Sequence, residues 1–319
     1  MQPLSDPHPL LGLCDAYGLL LRRDAVERGV DDNALAALVR TGVLVRLRQG
    51  GYCLRSVYFH ADKAERHRLL CRLVMKQYDD HVLLSHASSC LVQGGPDWGL
   101  DLSSAHLTHT SGGGRRASRV VHHLGDCRVV DVREHAGLRV TVPARAVVEV
   151  ACTDGAEAAL VQANHFLHRG EMSLEELRLQ AERSTYWPGS LRIHPVLLLA
   201  DPRLESVGET RCDHFFWTVG LPRPVPQYEV RLEDGTVVAR VDFAWPDLGV
   251  IVEFDGRTKY HQLRREGESI EQAVLREKAR EDLIREVTGW TVIRLTWADL
   301  DNPQHTAARI RRAMRVRAA

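Results

Sequence analysis

The apolar positions change period several times along the chain, and each change marks an element. Leu19-Leu20-Leu21 running into Arg22-Arg23-Asp24-Ala25-Val26 predicts a helix that closes at Gly29. Asp31 or Asp32 caps a second helix over 33–41, with Leu35, Leu38 and Val39 on one face and Gly42 at its end. Val43 to Arg48 then reads as a strand, Gly50-Gly51 as a turn and Tyr52-Cys53-Leu54 as the returning strand. Two helices followed by a basic hairpin form the pattern of a winged helix-turn-helix. From 61 to 183 the pattern is mixed. A helix over 63–77 carries Leu69, Leu70, Leu73 and Val74 in register, and a short apolar run over 82–92 contains Ser85, Ser88 and Ser89. Strands follow at 105–110 and 120–123, separated by a basic glycine loop, Gly112-Gly113-Gly114-Arg115-Arg116. Helices are expected over 144–151, over 156–168 and after Ser173. The prolines at 188, 195 and 202 make 184–203 a linker with one short helix. Beyond it, Ser206-x-x-Glu209 opens a helix to Thr218, and strands are expected over 225–232, 237–243 and 249–256. A long helix over 269–287, a strand over 291–295 and a basic helix over 303–317 complete the chain.

These elements divide the chain into a winged helix-turn-helix (1–58), a mixed α/β middle domain (59–183), a linker (184–203) and a mixed sheet flanked by helices (204–319). The fold class is multi-domain α/β, as 319 residues also suggest. Aromatics are only 6% of the chain, so the cores must be built from Leu, Val and Ala. Formal net charge is zero, so any surface for an anionic polymer must be local. Seven scattered cysteines without CxxC spacing predict reduced thiols rather than disulfides or a cysteine metal site. Neither a signal segment nor a membrane-length apolar run is visible, which leads us to expect a soluble, cytoplasmic protein with no membrane partner. No phosphate-cradling glycine loop or nucleophile elbow occurs, so no nucleotide cofactor is expected.

The candidate chemistry lies in Val241-Asp242-Phe243 and Ile251-Val252-Glu253-Phe254-Asp255-Gly256. Carboxylates inside apolar runs are costly to bury unless a cation pairs with them, and neighbouring carboxylates raise that cost. A hard divalent ion, Mg²⁺ or Mn²⁺, bound by Asp242 and Glu253 would answer both problems. The bland alternative is a pair of strand-end acids facing water.

Segment 204–300 resembles the restriction-endonuclease-like PD-(D/E)XK superfamily. Within it, the segment is similar to the branch related to very-short-patch-repair endonucleases, a domain of unknown function. The matching text is Ser206-x-x-Glu209, Gly220-Leu221-Pro222-x-Pro224, Val241-Asp242-Phe243-Ala244-Trp245-Pro246, Glu253-Phe254-Asp255-Gly256 and Gly289-Trp290-x-Val292-Ile293-Arg294. The resemblance implies a metal-dependent endonuclease acting on DNA. Asp242 would be the metal-binding Asp and Glu253 the second acid. Asp255 stands where many members carry a catalytic Lys, which leaves Lys259 or Lys278 to supply the positive charge. Glu209 would serve as a helix cap, a metal-reaching acid, or both. His261 is displaced from where many members of the branch carry a His, because Arg257-Thr258-Lys259-Tyr260 intervenes.

Residues 15–54 resemble the winged-helix part of AbiEi-type antitoxins of type IV toxin–antitoxin systems. The carrying text is Asp15-Ala16-Tyr17-Gly18, Val39 to Arg48 and Gly50-Gly51-Tyr52. This resemblance implies a second reading: a non-catalytic, DNA-binding regulator with a degenerate nuclease fold, whose partners would be DNA and a toxin or a second copy of the chain. Arg46 and Arg48 alternate with Val45 and Leu47 and are expected on one strand face, where they would grip phosphates, with Arg40 adding a contact. Arg115, Arg116, Arg311 and Arg312 are further nucleic-acid candidates, against the alternative of solvated charge. His106, His109, His122 and His123 share no face within a strand, although ligands could meet across two strands. No Cys or acid at ligand spacing completes such a set, so surface or core histidines are the expectation there.

Overall fold

The computed structural model describes residues 12–78, 82–109, 118–256 and 269–318. The chain is a multi-domain α/β protein with three sheets, of three, five and four strands. It divides into two compact units, one formed by 1–163 with 172–197 and the other by 164–171 with 198–319. Among the described residues, no helix is long and apolar enough to cross a membrane.

The first unit opens with β1 (Leu19–Leu21), α1 (Arg22–Glu27), α2 (Asp32–Arg40), β2 (Leu44–Arg48) and β3 (Gly51–Leu54). The strands form a sheet in the order β1-β3-β2. This is the winged-helix arrangement, with one difference from the sequence pattern: the leucine triplet is a strand, not the opening of a helix. Leu20 packs with Ala25, Leu35 and Leu38, whereas Leu19 and Leu21 pack with Leu47, Cys53 and Leu73. A strand with a core on each side has no polar face, so its alternation cannot be seen in the sequence. α3 (Arg55–His60) and α4 (Lys63–Gln77) follow. α4 lies so close to the wing that a Cβ on Gly51 would stand 2.4 Å from Leu73 Cδ2.

The chain continues with β4 (Val82–Leu84), α5 (His86–Val92), β5 (Ala105–His109), β6 (Val120–Leu124), β7 (Val132–His135), β8 (Leu138–Thr141), α6 (Pro143–Thr153), α7 (Ala156–His168), α8 (Leu174–Arg183) and α9 (Ile193–Leu199), of which α7 and α9 end within the second unit. The sheet order is β6-β5-β4-β8-β7, with β5 parallel to β6 and antiparallel to β4. A buried polar network stitches α6 to its surroundings. Arg145 donates to Glu149 at 2.8 Å and to Asp131 at 3.0 Å, and Glu149 accepts the backbone N–H of His86 at 2.9 Å. A fully satisfied network of this kind fixes one arrangement of the elements that it joins.

The second unit contains α10 (Val207–Thr218), β9 (Val225–Arg231), β10 (Val237–Trp245), β11 (Val250–Phe254), α11 (Ile270–Thr288), β12 (Thr291–Leu295), α12 (Trp297–Leu300) and α13 (Pro303–Ala318). Its sheet runs β12-β11-β10-β9, with β11 and β12 parallel and the other pairs antiparallel. One face packs on α10 and α13 through Phe216, Phe243, Val252, Phe254 and Ile310. The other packs on α11 through Val230, Val241, Ile251 and Ile284. Region 184–203, expected as a linker, carries a tight turn over 190–192 and α9.

Candidate functional site

Asp242 sits where β10 loses its regular alternation. In a regular strand, residues two apart share a face. Here Val241 belongs to the core under α11, while Phe243, two positions on, belongs to the core under α10. The cause lies in the neighbouring strand. The register pairs Val241 with Tyr228 and Phe243 with Pro226, which sets Gln227 opposite Asp242, and Gln227 has φ +51°. A left-handed φ at a non-glycine residue costs of order 1–3 kcal/mol and persists only where the surroundings enforce it. On the other side, the ladder of β10 with β11 runs to Phe243 opposite Val252. One step further, the Phe254 N–H donates to Asp242 Oδ2 at 2.8 Å. Glu253 follows Val252 on β11, so Gln227, Asp242 and Glu253 follow one another across three strands at this irregularity.

Glu209 joins them from α10. Its Oε2 accepts the Gln227 side-chain amide at 2.7 Å and the Glu205 N–H at 3.1 Å. Its Oε1 accepts the Ser206 hydroxyl at 2.6 Å, and the Ser206 hydroxyl in turn accepts the Glu209 N–H at 3.2 Å. Glu209 therefore caps its helix, one of the two roles that its position in the sequence left open, and also reaches the sheet through Gln227.

Glu253 is 9% exposed and its Oε1 accepts from Arg280 at 2.6 Å. Burial lifts the Glu253 carboxyl above its usual range; Arg280 opposes that, and the charge on Asp242 adds to it. The two acids therefore sense each other. Burial alone would lower the Arg280 guanidinium, but its bonds to Glu277 and Glu253 more than reverse this and raise it. Arg280 also donates to Glu277 Oε1 at 2.8 Å, and Arg294, opposite Glu253 in the register of β11 with β12, bonds the same oxygen at 3.0 Å. The cation that the sequence demanded for a buried acid is thus supplied, for Glu253, by a helix arginine.

The oxygen donors of Asp242 and Glu253 suit a hard ion that takes one or two carboxylates and completes its shell with water and phosphate. Among the described residues, the acids do not join a larger cage. Among the described residues, the group of three or more metal-capable side chains with ligand atoms within 4.8 Å of one another is His86, His106 and His123, in the first unit. Asp255, half-buried just past β11, donates its N–H to the Leu295 carbonyl at 2.7 Å. Lys278 is exposed on α11. Lys259, His261, Arg115 and Arg116 lie outside the described residues.

Arg280 and Gln227 were not foreseen. Arg280 had a signal: Ala273 and Ile284 are buried, and Glu277 and Arg280 lie between them at helical spacing. That stripe includes position 280 and turns position 278 away. Gln227 had none, because a positive φ at a glutamine leaves no mark in sequence.

The expected phosphate-binding arginines separate. Arg40 and Arg46 are exposed. A register shift between Arg46 and Arg48 breaks the alternation of β2, so the two do not share a face as expected. Arg48 instead donates to Gln77 at 2.8 Å and lies 5.7 Å from the centre of the Tyr78 ring. A groove beside Arg46 is lined by Arg22, Asp32, Val39 and Tyr52. On α13, Arg311 donates to the Val219 carbonyl at the end of α10, Arg309 pairs with Asp299 at 3.2 Å, and Arg312 is exposed.

Two uncharacterized proteins of Mycobacterium tuberculosis, from two strains, are similar to this chain. Each is 28% identical over 277 residues, a span of 86% of this chain and 97% of the relative. A match of that length is longer than either unit, so it includes parts of both. No family model matches the sequence.

Proposed function

We propose that the second unit is a divalent-metal-dependent DNA endonuclease and that the winged helix holds its substrate. The observation that carries this reading is the convergence of Asp242, Glu253, Glu209 and Gln227 on one irregularity of the sheet, enforced by a strained backbone. Asp242 and Glu253 would hold Mg²⁺ or Mn²⁺, which supplies a Lewis acid for the phosphodiester and acidifies an attacking water. The chain's own residues do the rest. Arg280 pairs with the buried Glu253 carboxylate at 2.6 Å, and its planar guanidinium suits a phosphate oxygen as well as a carboxylate. Glu209 holds Gln227 and with it the kink that aims Asp242. Asp255 orients water, and Lys259 adds positive charge for the scissile phosphate, since Lys278 is turned away from the acids. Arg40 and Arg46 hold the DNA backbone, with Arg312 as a further phosphate contact. DNA as substrate implies a cytoplasmic protein.

One observation favours a second reading. The Glu253 carboxylate already has its cation in Arg280, and a carboxylate balanced by the protein has less need of a metal. The chain would then be a DNA-binding regulator of antitoxin type, paired with a toxin or a second copy of itself.

Incubation of the purified chain with supercoiled plasmid and Mg²⁺ or Mn²⁺ separates the two readings. Nicking that disappears in Asp242→Ala supports the nuclease. A plasmid that stays supercoiled with either ion, while the protein still retards it on a gel, supports the regulator.

A further inference from the structure

The first unit holds a histidine cluster that the reading above does not use. β5 and β6 run side by side, with Thr108 opposite His123 and Leu107 opposite His122. The cross-strand contacts are His106 Nδ1 to His123 Nε2 at 3.0 Å and His109 Nε2 to His122 Nδ1 at 2.6 Å. The two pairs lie on opposite faces of the ribbon, because 106 and 109 are an odd number of positions apart and 122 and 123 are adjacent. On one face, His86 at the start of α5 completes a trio. Its ring stacks on His123 with centroids 3.6 Å apart, and one nitrogen of each of the three rings lies within 4.8 Å of the others.

We propose that His86, His106 and His123 bind a transition-metal ion of the zinc type. Two imidazole nitrogens at 3.0 Å require either a proton or a metal to relieve the repulsion of their lone pairs. Zinc–nitrogen bonds of about 2.0–2.1 Å place tetrahedral ligands roughly 3.3 Å apart, so His106 and His123 need to move by only a few tenths of an ångström, while the His86 ring must turn out of its stack on His123 to aim a nitrogen at the ion.

The surroundings are those of a supported site. The Nδ1 of His86 is 2.9 Å from the buried Ser85 hydroxyl and 3.7 Å from Glu149 Oε2, which leaves its Nε2 for a metal. Glu149 is anchored by Arg145 and Thr141 and also accepts the His86 N–H, so the residue is fixed through both ring and backbone. His86 has φ +53°, a conformation uncommon for residues other than glycine. Glu149 is occupied by these bonds and is not a fourth ligand, so a position remains for water or a substrate group, as in zinc sites with three protein ligands. Nitrogen-only donors select zinc, cobalt, nickel or copper over magnesium, which makes this site chemically distinct from the carboxylates of the second unit.

The test titrates the chelator-treated full-length chain with Co²⁺, whose visible bands report tetrahedral nitrogen ligation, and then with Zn²⁺ to displace it. We expect the tetrahedral bands to saturate at about one ion per chain. His123→Ala, whose side chain is half-buried, should abolish the bands, and so should His86→Asn, since Asn tolerates the left-handed backbone. His122→Ala on the opposite face and Asp242→Ala in the other unit should leave them unchanged. Wild-type protein that develops no bands and retains no zinc overturns the proposal. So do bands that survive His123→Ala in a protein with a native circular dichroism spectrum, or bands that vanish in Asp242→Ala.

Discussion

Asp213 is an acid in an apolar place. It is 4% exposed and lines a small cavity of about 120 Å³ with Leu198, Leu199, Phe216, Trp217 and Leu221, and its Oδ2 has no hydrogen-bond partner among the described residues. Burial raises its carboxyl from 3.8 to about 6, against the pull of Arg223 and Arg203 and with a push from Asp201. The folded chain therefore binds this proton more tightly than the unfolded chain. Below about pH 4 both states are protonated and the group costs nothing; as pH rises toward about 6 the unfolded state releases its proton first and stability falls. The full loss, reached above that window, is about 3 kcal/mol, since each unit is worth about 1.4 kcal/mol. Asp213→Asn should flatten this part of the stability profile in denaturant titrations at pH 4.5 and 7.5; a variant with the wild-type slope would refute the account. Nothing in the local sequence warns of Asp213. Its neighbours Thr210, Arg211 and His214 are polar, and the burial is imposed by residues near 198 and 221.

The contact of α10 with β11 depends on a missing side chain. A Cβ on Gly208 would stand 2.1 Å from Phe254 Cε1 and 2.2 Å from its Cδ1. Gly208→Ala would gain roughly 1 kcal/mol of helix propensity, but overpacking costs about 1–3 kcal/mol, and the Phe254 ring is buried and cannot simply swing aside. We expect net destabilisation of about 1 kcal/mol, read as a lower denaturation midpoint at unchanged slope. Any nicking activity should fall further than stability does, because the Phe254 N–H holds Asp242. A variant as stable and as active as wild type would contradict this packing. Most elements of this unit were legible, since Ser206 and Ser269 cap their helices and Gly289 ends one in the left-handed conformation. β1 was not, because both of its faces are apolar, and neither was the break at Asp242, because its cause lies on another strand.

Zero net charge makes any grip on DNA local, so individual arginines should matter. Arg40→Ala and Arg46→Ala should each weaken binding and reduce the dependence of log affinity on log salt by about 0.9 per lost phosphate contact. Arg311→Ala should instead lower stability, since this side chain ties α13 to the end of α10. Fluorescence anisotropy across a salt series checks the first expectation, and an unchanged salt slope for both variants would remove the winged helix from the DNA-binding account. The sequence by itself determined the period of most elements, their caps and the position of the acids, because hydrophobic alternation and capping act over a few residues. Only the tertiary structure decided the partners of those acids. Arg280 lies 27 residues from Glu253, and His86, His106 and His123 come from three separate elements. Charge pairs and ligand sets are chosen by the packing of elements distant in sequence, and no local pattern records that choice.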